Sequence, residues 1–113
     1  MANRLFPEII TKHPNADIPI NGVTSHLVQA GHQQFIFMQF DNDVEVPEHF
    51  HAAQWGIVLE GEMELNIGGQ KRNLKKGDTY FIEKNVLHSA KIKKGYTDLT
   101  LFDQPDRYKA KTG

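Results

Sequence analysis

His49-Phe50-His51 is the strongest chemical signal in the chain. Alternate residues of a β-strand face the same way, so this spacing aims two imidazoles at one locus and sends Phe50 the other way, into packing. Paired imidazoles of this kind can point together at one locus, although most isolated pairs of this spacing are simply surface histidines. Gln54 follows at the start of an apolar run, and His88 lies on a later strand beyond the Gly77-Asp78 turn. The other three histidines read differently. His13 precedes a proline and His32 follows Gly31, both at exposed turns, while His26 fits a packed or surface position on a strand. The 113 residues include no cysteine, which removes disulfides, thiol catalysis and sulfur-ligated zinc or iron.

The elements that must position these side chains read as strands. Glycines punctuate the chain, and between them lie short runs rich in Val, Ile, Phe, Tyr and Thr. Strands are expected over 23–30, 33–40, 54–60, 62–67, 78–82, 86–92 and 97–102. Phe35-Ile36-Phe37-Met38 has no polar break, as in a strand covered on both faces, whereas Met63, Leu65 and Ile67 alternate with polar neighbours. Gly68-Gly69 suits a tight hairpin turn, because glycine accepts positive φ. The best helix candidate, 5–12, is short and interrupted by Pro7. The expected class is all-β, a sandwich or small barrel.

On these residues the chain resembles the cupin superfamily. The first cupin motif is matched from Asp43 to Gly61, through His49, His51 and Gln54 to Val58-Leu59-Glu60-Gly61-Glu62; the second runs from Gly77-Asp78 to His88. The resemblance implies a double-stranded β-helix, or jelly-roll barrel, with His49, His51, Gln54 and His88 as metal ligands. Asp43 stands in place of a usual glycine, and Glu83 and Asn85 in place of proline and glycine. These positions shape turns, and Asn tolerates a left-handed backbone.

Gln54 in place of the usual glutamate alters the site itself. Three neutral imidazoles and an amide oxygen leave a divalent cation its full charge, and such donors suit Zn, Ni, Fe, Mn or Co without choosing among them. A glutamine cannot accept a proton, so the reading favours Lewis-acid chemistry on a hydroxy-carbonyl ligand over oxygenase chemistry that uses a glutamate base. By strand parity Gly56 faces inward with Gln54, either opening space for a ligand or relieving a crowded barrel corner, and Trp55 packs on the opposite side of the sheet. On the last strand Asp98, Thr100 and Phe102 share one face, with Asp103 on the other.

The tail from Phe102 to Tyr108 also resembles, loosely, the pectin-degradation cupins that convert unsaturated monouronates to linear keto forms. That likeness implies an isomerising small-molecule enzyme in which Arg107 pairs with a carboxylate and Asp98 or Asp103 moves protons. Thr100 occupies the position of the related aspartate. A metal-dependent dioxygenase and a noncatalytic small-ligand-binding module are the alternatives.

The formal net charge of −1 argues against a nucleic-acid partner, and no apolar run approaches membrane-spanning or signal-peptide length, so a cytoplasmic protein is expected. Residues 1–22 form an arm or edge strands, 23–104 the barrel and 105–113 a tail. Small cupins commonly dimerise, which implies a homodimer in which the proline-marked arm packs on the second subunit.

Overall fold

A computed structural model describes residues 5–111. After a one-turn helix, α1 (Glu8–Thr11), come nine strands: β1 (Val23–Ala30), β2 (Gln33–Phe40), β3 (Val44–His49), β4 (Gln54–Glu60), β5 (Glu62–Ile67), β6 (Gln70–Lys75), β7 (Thr79–Ile82), β8 (His88–Ile92) and β9 (Thr97–Phe102). They form two antiparallel sheets, ordered β1-β2-β9-β4-β7 and β3-β8-β5-β6. The expected all-β jelly-roll architecture is what the chain adopts. Inward-facing Ile36, Met38, Val58, Met63, Leu65, Leu74, Ile82, Ile92 and Phe102 make the core between the sheets. Burying each such side chain is worth about 1.5–3 kcal/mol.

No strand range was expected for β3 or β6, beyond the alternation at His49–His51 and the hairpin turn at Gly68-Gly69, and both are edges of the smaller sheet. An edge strand needs fewer apolar residues and is protected by charge and proline, which hides it from a hydrophobicity reading. β6 (Gln-Lys-Arg-Asn-Leu-Lys) buries only Leu74, and β3 contains Pro47 and buries no residue fully.

The turns that depart from the cupin pattern remain sound. Asn85 adopts φ 65°, and its N–H donates to the His51 carbonyl at 2.9 Å, tying together the loops of the two motifs. Asp43 accepts a hydrogen bond from the Lys94 N–H at 2.8 Å.

Among its described residues the N-terminal segment holds α1, opened by Pro7, and no sheet strand; Ala16 makes a β-bridge with Ala110. The first four residues of the arm and the last two of the tail lie outside the described residues. The tail is pinned to the barrel by Gln34, which is 2% exposed. Its Nε2 donates to the Tyr108 carbonyl at 2.8 Å, and its Oε1 accepts from the Tyr108 N–H at 3.1 Å. This clasp carries Arg107 and Tyr108 to the rim of the cavity between the sheets.

Candidate metal centre

His49 and His88 are cross-strand partners at the end of the β3–β8 pair, after a register irregularity between Val46 and His49. β3 stops at His49, so His51 reaches the same locus from a loop and not by strand alternation. This corrects the placement of Phe50, which is 61% exposed rather than packed. The outcome for the histidines is nonetheless convergence: their ligand atoms all lie within 4.8 Å of one another.

Backbone carbonyls fix each ring. The Nδ1 atoms of His49, His51 and His88 lie 2.8, 2.7 and 2.9 Å from the carbonyls of Pro47, Ala52 and Val86. A carbonyl only accepts, so each Nδ1 must carry the proton, and each neutral ring then presents its Nε2 lone pair to the others. The Nε2 atoms of His51 and His88 are 3.1 Å apart. Two lone pairs at that distance repel unless a cation lies between them, so the donor set fits a divalent transition ion, held by rings oriented as ligating histidines usually are. Burial pushes the His51 pKa down to about 4, with further lowering from the charges of Arg107, His88 and His49 and partial opposition from the Ala52 bond. His88 is lowered for the same leading reason. Neutral imidazole, the ligating form, is therefore present at pH 7.

Gln54 lines the same cavity and is almost fully buried. Its Nε2 donates to the Tyr80 hydroxyl at 3.3 Å, which leaves Oε1 free as a ligand atom. Gly56 does not open space for a ligand. It pairs with Tyr80 across β4–β7, and a Cβ built on it would come 2.3 Å from the Tyr80 ring. The glycine is there because a phenol lies over it. Trp55, expected to pack, is 36% exposed on the outer face beside Phe81.

Asp98 also lines the cavity and is fully buried. Its Oδ2 accepts from the Tyr96 hydroxyl at 2.7 Å and the Tyr80 hydroxyl at 3.5 Å. Desolvation pushes its pKa up to about 7 against the lowering effect of the two tyrosines. Asp103 is not brought to the site: it is exposed and accepts from Gln33 at 3.2 Å. Thr100 is fully buried, its hydroxyl donating to the Ile36 carbonyl at 3.3 Å. Arg107 lies with its guanidinium carbon 4.5 Å from the Tyr108 ring centroid and 5.7 Å from that of Phe102, whose ring in turn meets His51 edge-on.

Tyr80, Tyr96 and Tyr108 were not singled out in the sequence. Only the cross-strand pairing of a glycine with an aromatic residue would have pointed to Tyr80. His26 packs against Phe6 and faces the His13 carbonyl, while His32 is exposed, so neither belongs to the centre.

The family model for the cupin domain matches residues 36–103, which include all four expected ligands but not Arg107. An uncharacterised protein of Aquifex aeolicus is 43% identical over 54 residues, and the chain spans under half the length of that relative (46% of this chain, 44% of the relative). Among solved structures, KdgF from Halomonas sp. superposes with a TM-score of 0.73 at 22% identity, over 94% of this chain and 96% of that one. Bacillus subtilis oxalate decarboxylase, a protein with Mn(II) centres, superposes with a TM-score of 0.70 at 16% identity, over 86% of this chain and 29% of that one. At these identities the structural likenesses are likenesses of fold.

Proposed function

This chain belongs to the cupin domain family, and from that premise we propose that it is a metal-binding small-molecule enzyme that isomerises or tautomerises a sugar-acid-like substrate. One observation carries the reading. Among the described residues, two buried side-chain polar atoms have no hydrogen-bond partner, Asp98 Oδ1 and Arg107 Nε, and both residues line the cavity on which the three imidazoles converge. Buried polar groups without partners are costly, and at a cavity they are most simply completed by a ligand.

The cavity encloses about 90 Å³. Pockets that engulf drug-sized ligands measure ~300–1,000 Å³, so this one takes a small molecule or the reacting end of a longer one. His49, His51, His88 and Gln54 would hold a divalent ion, which supplies Lewis acidity toward a hydroxyl or carbonyl oxygen. Arg107 provides the charge for a substrate carboxylate, held in place by its aromatic neighbours. Asp98, poised near neutrality, takes a proton from one substrate atom and returns it to another, so the reaction needs neither oxidant nor water. Met38, Phe40, Leu65 and Ile82 give the cavity an apolar lining around that transfer. Cytoplasmic residence is part of the same proposal. No helix of the described residues is long and apolar enough to cross a membrane.

The test is incubation of the metal-loaded protein with an unsaturated monouronate while substrate absorbance and dissolved oxygen are followed together. Loss of the unsaturated uronate without oxygen uptake is expected. Oxygen consumption would instead identify a dioxygenase. Ligand-dependent thermal stabilisation with no turnover would identify a binding module. Arg107→Gln should raise KM more than it lowers kcat, because its charge meets the substrate in ground and transition states alike.

The proposed partner is a second copy of the chain. Leu101, Trp55 and Phe81 are cross-strand neighbours on the outer face of the larger sheet, running to its edge at β7, and Trp55 and Phe81 are exposed. In a two-fold dimer an apolar patch can meet itself without a charged counterpart. Light scattering should give twice the 12.9 kDa chain mass for the wild type, and Phe81→Glu should give a monomer. A wild type that is monomeric at every concentration overturns the dimer.

A further inference from the structure

The hydrogen-bond chain behind Gln54 has a polarity, and that polarity decides which end of the amide meets the imidazoles. The Tyr96 hydroxyl donates to Asp98 Oδ2 at 2.7 Å, the Tyr80 hydroxyl donates to the same oxygen at 3.5 Å, and the Gln54 Nε2 donates to the Tyr80 oxygen at 3.3 Å. A phenol has a single hydrogen to donate. With that hydrogen turned to the carboxyl, Tyr80 can only accept from Gln54, so it selects the NH2 end of the amide. The amide oxygen is then the atom left for the cavity. We infer that Tyr80 is a positioning residue for the metal centre, turned by Asp98 so that Gln54 presents oxygen, a ligand, and not NH2, which cannot ligate.

A glutamate at position 54 would need no such device, because its two oxygens are equivalent. A glutamine has two ends of nearly the same shape and opposite hydrogen-bonding character, so shape alone cannot orient it. The phenol that orients it is accommodated by Gly56: any side chain there would meet the Tyr80 ring within 2.5 Å of its hydroxyl end. Gly56, Tyr80, Asp98 and Gln54 are thus one unit spread over three adjacent strands, β7, β4 and β9. The hydroxyls of both buried tyrosines meet on Asp98 Oδ2, so the three groups form one connected network behind Gln54.

This inference rests on the metal-centre reading above and is tested with Zn²⁺ alone, by competition against a chromogenic chelator, on four proteins: wild type, Tyr80→Phe, Gln54→Glu and the double variant. Replacing a residue that orients a metal ligand typically weakens metal binding ~10–100-fold, and Tyr80→Phe should do so in the glutamine protein. In the Gln54→Glu background the same change should cost less than about three-fold, because a carboxylate has no wrong end. Equal losses in both backgrounds would make Tyr80 a packing residue, and no loss in either would remove its role; both outcomes overturn the inference and leave the centre standing. A wild type without measurable affinity overturns the centre itself. Should Tyr80→Phe fail to fold, Asp98→Leu makes the same test without touching the ring. Leucine offers the Tyr80 hydrogen no acceptor, so that hydrogen is free to turn to Gln54, and Zn²⁺ affinity should again fall ~10–100-fold in the glutamine protein only.

Discussion

Alanine at His51 is expected to weaken Zn²⁺ binding by roughly 10²–10³-fold while leaving the metal-free protein as stable as the wild type. The first half follows from the donor count. Complete four-ligand sites in small proteins bind Zn²⁺ with ~10–16 kcal/mol, so a quarter of that is about 2.5–4 kcal/mol. The second half follows from the tautomers. Because Nδ1 of His51 and of His88 both face carbonyls, their Nε2 lone pairs oppose each other at 3.1 Å without a cation. Removing one ring relieves that opposition and offsets the loss of packing against Phe102. In a melting experiment the wild type should gain stability with Zn²⁺, about 2.7 kcal/mol when the ion is at a hundred times its Kd, and the variant should gain less than about 0.5 kcal/mol at the same concentration. Acid should release the ion as well, since protonation of the imidazoles competes with ligation. That release should come well below the ordinary histidine range, because burial holds the His51 pKa near 4. A variant that retained wild-type affinity would move the centre elsewhere. One that lost metal-free stability by several kcal/mol would show that His51 is chiefly a packing residue.

Convergence of the histidines was legible in the sequence, although the local reason for it was not. The resemblance of 43–61 and 77–88 to the two cupin motifs pointed to the three histidines that converge, yet strict alternation would have required a strand through His51. The chain instead leaves β3 at His49, turns Phe50 out to solvent, and is tied by the Asn85 N–H to the His51 carbonyl. Core strands such as β5 announced themselves by period, because one face is buried and the other wet. The edges β3 and β6 did not, because an edge is specified by its neighbour's unpaired backbone more than by its own apolar content.

The tyrosines behind the centre, and the contact of Asp98 with them, were illegible for a different reason. Tyr80, Tyr96 and Asp98 are brought to Gln54 by pairing β7 and β9 on either side of β4, and no local pattern encodes which inward-facing side chains will then touch. Parity placed Gly56 on the inward face and grouped Asp98 with Thr100 and Phe102 on one face of β9, all three of which are buried. It could not say that the space over Gly56 would be filled by a tyrosine from the neighbouring strand.

Asp98→Asn is the substitution that separates chemistry from architecture. In the wild type the folded-state pKa lies near 7 and the unfolded one near 3.8. Between those values the folded chain holds a proton that the unfolded chain has released, so stability falls as pH rises. The effect is complete below about pH 4, is lost progressively through neutrality, and levels off above about pH 7. A raised carboxyl of this kind is worth a few kcal/mol over that window, at roughly 1.4 kcal/mol per unit. Asparagine does not titrate, so the melting temperature of the variant relative to the wild type should climb between pH 4.5 and 8. For a domain of this size each ~1 kcal/mol appears as about 4–8 °C, which makes the trend measurable by differential scanning fluorimetry. The histidine contribution has the opposite sign, being lost as pH falls from 6.5, and it cancels because both proteins contain it. Turnover provides the other arm. Measured at saturating metal, so that any altered Gln54 orientation is compensated, kcat should fall ~10²–10⁴-fold if Asp98 carries the proton. A variant that shows the pH-dependent stability trend with undiminished kcat would leave Asp98 as the anchor of the tyrosines alone. The unpartnered Oδ1 argues for the larger effect, because a carboxyl retained only to hold two phenols uses one oxygen to do it and leaves the other facing the cavity at a cost the fold does not otherwise recover.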